Sequence, residues 1–133
     1  MRTEEIHYKV NDNNMLGFVA YPDSNSNSPL VLIAHAWAGK DSFVHDRAKD
    51  LATLGYTAMA VDMYGEGRVG VDASENEALM TPLISNRDDL KERILGALET
   101  GRSIEGVDPT KVAAIGYCFG GEYRNRVVVP SFD

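Results

Sequence analysis

The chain opens on two strand-length stretches, residues 6–10 and 15–21, separated by the polar stretch Asn11-Asp12-Asn13-Asn14. Two strand-length runs around an Asn/Asp-rich break predict a β-hairpin. Residues 22–29 are rich in Ser and Asn, have little to bury and predict a loop. The run Leu30-Val31-Leu32-Ile33-Ala34 suits a strand covered on both faces, as in a parallel sheet. Helical spacing follows: Val44, Ala48, Leu51 and Leu54 share one face, Asp41 or Ser42 can cap the first turn, and Gly55 supplies the stop. Residues 57–61 predict another buried strand, which leads into the glycine-rich turn Asp62-Met63-Tyr64-Gly65-Glu66-Gly67. Residues 68–85 carry no strong period beyond a short helix over 75–80. Asn86 then caps a longer helix, with Asp88 and Asp89 at its positive end and Leu90, Ile94, Leu98 and Ile104 as its apolar stripe. The turn Asp108-Pro109 opens a last apolar run over 111–115.

Hairpin, strand, helix, strand, helix, strand is the order of an α/β protein: a mostly parallel sheet with an N-terminal hairpin and helices on both faces. Ligands bind such sheets at the carboxyl ends of the strands. Both His35-Ala36-Trp37-Ala38-Gly39 and the residues after the last strand fall there, so they share one rim.

Composition narrows the class. A chain of 133 residues, 44% hydrophobic and 25% charged, has the length and make-up of one globular domain. Its formal net charge of −7 argues against nucleic acid or an anionic membrane as partner. No run approaches the length of a membrane span, and no signal-like apolar core follows the first residues, so the expected location is the cytoplasm. One cysteine excludes an internal disulfide and a cysteine-based zinc site. His45 and Asp46 lack a third ligand at metal spacing; no metal and no cofactor are expected.

The chemistry concentrates in Gly116-Tyr117-Cys118-Phe119-Gly120-Gly121. A strand followed at once by G-x-C-x-G is the cysteine form of a nucleophile elbow. Gly116, Gly120 and Gly121 relieve crowding around a sharp strand-to-helix corner, and the helix start aims N–H groups at the thiol. A buried, inert Cys118 is the plain alternative. A phosphate-binding loop would need Lys-Ser/Thr where Glu122-Tyr123 stands, and a dinucleotide fingerprint would need glycine at Cys118. A redox thiol and a non-catalytic α/β binding module stay open.

Four stretches together resemble the dienelactone hydrolase family of the α/β-hydrolase fold. They are His35-Ala36-Trp37-Ala38-Gly39, Leu54-Gly55-Tyr56, Asp62-Met63-Tyr64-Gly65-Glu66-Gly67, and residues 107–121 with the D-P turn, strand and elbow. The resemblance implies a hydrolase of small carboxylic esters or lactones, with Cys118 forming a thioester acyl-enzyme. It implies an oxyanion hole from the backbone N–H groups of Phe119 and Trp37. It also implies a catalytic histidine downstream of the cysteine, which leaves His35 a structural role. Asp62 and Glu66 read as turn and loop residues, with catalytic carboxylates as the alternative.

The chain departs from that pattern in three ways. No histidine follows Cys118, and the carboxylates there are Glu122 and Asp133, so the triad order nucleophile, Asp, His is not completed. Residues 122–133 are charged where the family has a core-packing helix, then β-branched, then interrupted by Pro130. The expectation is therefore the N-terminal part of one domain over residues 1–121 and an atypical, frameshifted or truncated tail over 122–133. Ala36 also stands where family members often carry a carboxylate near the thiol. A sheet that stops at the elbow strand would expose an apolar edge, so self-association is expected.

Overall fold

The computed structural model describes residues 1–24 and 27–116. Cys118, Phe119, Gly120, Gly121 and the 122–133 tail lie outside the described residues. The elements are β1 (Arg2–Val10), β2 (Asn13–Tyr21), β3 (Ser28–Ala34), α1 (Ser42–Thr53), β4 (Thr57–Ala60), α2 (Ala73–Ser85), α3 (Arg87–Arg102) and β5 (Val107–Gly116). They form an α/β architecture around one mixed sheet of order β1-β2-β4-β3-β5. β4, β3 and β5 run parallel, and β2 joins them antiparallel, bringing the hairpin with it.

The hairpin turn is tighter than the four polar residues predict. Val10 pairs with Asn13, and only Asn11 and Asp12 lie between, at φ 48° and 68°. Asn and Asp tolerate this left-handed backbone, whose twist matches that of the strands it joins.

Alternation along the strands sorts two cores. Val19, Leu30, Leu32 and Met59 face α2 and α3, where Leu83, Ala97 and Leu98 meet them. Phe18, Ala20, Ile33, Ala58 and Ala60 face α1, which presents Val44, Ala48 and Ala52. The second cluster is largely alanine, so α1 lies close to the sheet. Burying each large aliphatic side chain contributes about 1.5–3 kcal/mol.

Several local expectations are revised. Asp41 occupies the N-cap of α1 without a side-chain cap hydrogen bond; its carbonyl instead accepts from His45 N–H at 3.2 Å. Leu54, assigned to the buried face, is 72% exposed because α1 ends before it and Gly55 turns the chain at φ +101°. The short helix over 75–80 is α2, thirteen residues long, capped by Asp72 and carrying Pro82 inside.

In α3, Asn86 caps as expected by accepting from Asp89 N–H at 3.1 Å, but Ile94 is partly exposed, and Ile104, which packs against the same core as Leu90 and Leu98, lies beyond the helix. The buried face is Ala97, Leu98 and Gly101. Small residues make the approach close: a Cβ on Gly101 would sit 2.8 Å from Leu30, and one on Gly96 2.5 Å from Val10. Asp108 and Pro109 lie within β5, where the register against β3 slips between Ser28 and Leu30. That irregularity spares Pro109 a ladder donor it does not have. Among the described residues, no helix is long and apolar enough to cross a membrane.

Candidate active site

The parallel strands end together. Ile33 pairs with Ala60, and Ala34 pairs with Gly116, so the segments that leave β3, β4 and β5 start from adjacent points of one rim. The sequence placed residues 35–39 and the elbow there, and the structure brings together the parts it describes: the 35–41 loop, the 61–70 loop and Gly116.

Asp62 organises the second of these loops. It is fully buried, and its carboxylate accepts four backbone N–H groups: Tyr64 at 3.2 Å and Gly65 at 2.9 Å on Oδ1, Gly67 at 2.8 Å and Leu16 at 3.0 Å on Oδ2. A carboxylate so engaged shapes the turn around it. Gly65 and Gly67 sit at φ +95° and +69°, the backbone this tight wrap demands. Arginines tie off the carbonyls: Arg68 donates to Tyr64 O at 2.7 Å and Arg93 to Met63 O at 2.9 Å. Arg93 is itself steered by Asp89, 3.3 Å away.

His35 joins the two loops. It is 1% exposed; Nδ1–H donates to Ala36 O at 2.8 Å and Nε2 accepts from Met63 N–H at 3.0 Å. These roles select the neutral ring, and burial holds its pKa below the ordinary histidine value. With both ring nitrogens in backbone bonds, His35 is a strut between the ends of β3 and β4.

The same contacts orient Trp37. The Ala36 carbonyl also accepts from Gly39 N–H at 3.1 Å. Because a peptide unit is planar and trans, fixing that carbonyl fixes the Trp37 N–H on the opposite side of the plane. The next carbonyl, Trp37 O, accepts from the Tyr64 hydroxyl at 2.8 Å. Tyr64 is buried, its phenol pKa pushed up by desolvation, so the hydroxyl stays a donor. Its ring packs on His35 with centroids 4.7 Å apart. Trp37 thus belongs to a peptide pair held on both sides, which the strand-end position alone did not reveal; Tyr64, marked in the sequence only by its place in the turn, supplies the second hold.

Gly116 is the one elbow residue described. A Cβ built on it meets nothing within 4 Å among the described residues. No group of three or more His, Cys, Asp or Glu suited to a metal ion occurs among the described residues.

Residues 15–129 match the dienelactone hydrolase family. The chain belongs to that family. It is 25% identical over 115 residues to a probable 2-oxo-3-(5-oxofuran-2-ylidene)propanoate lactonase of a Bradyrhizobium species, covering 86% of this chain and 46% of that protein. Among solved structures it resembles m3DLH, with TM-score 0.84, 29% identity, and coverage of 89% of this chain and 50% of that one. It also resembles a dienelactone-hydrolase-like promiscuous phosphotriesterase from metagenomic libraries, with TM-score 0.83, 28% identity, and coverage of 89% and 49%. The fold is therefore that of the α/β hydrolases, and the family is one of ester- and lactone-cleaving hydrolases. The chain spans about half the length of the relatives it matches.

Proposed function

We propose that this dienelactone hydrolase family chain carries the nucleophile half of a hydrolase of small carboxylic esters or lactones, with Cys118 as the attacking group. The supporting observation is the pairing of Ala34 with Gly116, which starts the Trp37 loop and the chain leading to Cys118 from neighbouring points of one rim. In this reading the Cys118 thiolate adds to the ester carbonyl carbon. The oxyanion is met by the N–H groups of Trp37 and Phe119. Collapse expels the alkoxide, which takes a proton, and leaves a thioester; water then cleaves the thioester to the acid and restores the thiol. A single oxyanion donor contributes about 3–4 kcal/mol to such a step, so the hold on the Ala36–Trp37 peptide is part of the chemistry. Gly116, Gly120 and Gly121 shape the corner.

No histidine follows Cys118 in this sequence, and His35, at the rim, is engaged on both nitrogens. A free thiol with pKa near ~8.5 is mostly protonated at neutral pH, so we assign the chain on its own a weak activity. Residues 122–133 form the atypical tail of this reading, and β5, as an open edge, is its self-association surface. We place the protein in the cytoplasm, where a lone thiol stays reduced.

Hydrolysis of an activated aryl ester, compared between the chain and Cys118→Ser, tests the proposal. The expected result is a slow, cysteine-dependent release that rises with pH as the thiol ionises, with the acyl-thioester visible by intact mass. Equal rates in the two proteins, without acylation, would instead identify a non-catalytic module.

A further inference from the structure

Lys40 ends the Trp37 loop, one residue before the N-cap of α1, and is 5% exposed. Its Nζ lies 3.0 Å from Nε2 of His45, in the first turn of α1. An ammonium can only donate, so His45 must accept at Nε2, which requires the neutral ring with its proton on Nδ1. The ring has little freedom to turn away, because it stacks on Phe18 with centroids 4.2 Å apart and planes within 15°.

The segment between Trp37 and Lys40 is wedged. Gly39, at φ +100°, forms a bridge with Val69, and a Cβ there would stand 2.6 Å from Arg68 O. Ala38 O accepts from Gly70 N–H at 2.8 Å, and Gly39 N–H holds the Ala36 carbonyl that orients Trp37.

The geometry points to a proton-controlled clamp: the Lys40–His45 contact holds the 36–41 loop, and with it the Trp37 amide, in the arrangement described, and proton uptake by His45 releases it. A proton on Nε2 removes the acceptor and sets two cations 3.0 Å apart. Lys40 cannot stay buried beside a like charge and must swing toward water. Gly39 is its chain neighbour, so the pull falls first on the bridge to Val69 and on the bond to Ala36 O.

The charged groups facing His45 are Lys40 in the loop, Asp41 and Lys49 at the start of α1 and along it, and Glu5 of β1. Burial comes first among the influences and, with the two lysines, disfavours the proton; Glu5 and Asp41 favour it; the net shift is downward. The sign follows. An unfolded ring takes its proton near ~6.5, whereas the folded ring takes it at lower pH. The clamp is whole at neutral pH and above and is lost as pH falls through the folded value. Over the same window below ~6.5 the unfolded chain binds more protons, and stability declines.

The device does not depend on ester hydrolysis and can be read without it. Trp37 is the chain's single tryptophan. Its emission is followed on the full chain from about pH 8 to about pH 5, with far-UV ellipticity alongside. The expected result is an emission change with a midpoint below the ordinary histidine value while ellipticity holds. In His45→Gln the amide oxygen accepts from Lys40 at every pH, so the change is lost. If that variant fails to fold, Lys40→Met serves: removing the neighbouring cation should raise the His45 midpoint followed by NMR of its ring. A parent chain without the emission change, the same change in His45→Gln, an emission change that coincides with loss of ellipticity, or an unmoved His45 midpoint in Lys40→Met would each overturn the clamp.

Discussion

Among the described residues, the two outer strands of the sheet are built on opposite plans. β1 turns Ile6, Tyr8 and Val10 toward the core and leaves Thr3, Glu5, His7 and Lys9 exposed on its other face. That charged face is what discourages another chain from pairing with an edge. β5 has charge only near its start, at Asp108 and Lys111. From Val112 to Gly116 every residue is uncharged and half-buried, with Val112 and Ala114 packed against one core cluster and Ile115 against the other. A strand apolar on both faces is the pattern of a sheet interior. β1 is finished as an edge, whereas β5 has interior chemistry at an edge position. This difference agrees with a family match in which the relatives are about twice as long.

The sharpest way to break the comparison is to place the same charge on both strands. Ala114→Asp puts a carboxylate against the cluster shared with Leu30 and Leu98, and should cost about 3 kcal/mol or more in urea unfolding. Thr3→Asp, on the exposed face of β1, should stay within about 0.5 kcal/mol. Equal losses would mean that β5 is as much an edge as β1.

Association gives the next contrast, read by sedimentation velocity. The parent chain should self-associate, and Ala113→Lys should shift it toward monomer, since a lysine stem can lie along the sheet while its charge blocks pairing. Removing a charge from the other edge, Glu5→Val, should move the distribution the other way.

The smallest effect sharpens how β1 is retained. Tyr21 donates to the Glu4 carboxylate, and the Arg2 guanidinium lies 3.8 Å over the Tyr21 ring centroid. Tyr21→Phe keeps the ring contact and loses the hydrogen bond, so it should cost about 1 kcal/mol by thermal unfolding.

The sequence was most legible where one local pattern decides structure. Leu30 to Ala34 read as a buried strand because both of its faces are apolar, and Asn86 read as a cap because its side chain reaches only the next turn. The pattern misled where tertiary fit decides. Ile94 and Leu54 are apolar and helically spaced, yet α3 packs through Ala97, Leu98 and Gly101 and α1 has already ended at Leu54. Glycine and alanine carry close contact that a hydrophobic period does not count. α2 was underestimated because residues 68–85 carry no strong period, and few of the helix's residues are buried.

At the rim, positions could be read but holds could not. The end of β3 drew attention to His35 and Trp37, whereas the Tyr64 hydroxyl on Trp37 O joins residues 27 apart in sequence, and Lys40 with His45 looks like an ordinary charged helix start until Lys40 is seen to be buried.

The Asp62 carboxylate has one further consequence, for the order in which the rim can assemble. One of its four bonds reaches Leu16, 46 residues earlier, on the far side of the β2–β4 pairing. Local turns close quickly, while contacts of large sequence separation must wait for the chain between them to be gathered in. The carboxylate can gain its full set of donors only after the hairpin has docked beside β4. Until then the carboxylate lacks one of its four donors, the Leu16 amide that ties the 62–67 turn to β2. The fourth bond therefore couples the loop that carries Tyr64, and through it the Trp37 peptide, to the docking of the N-terminal strands.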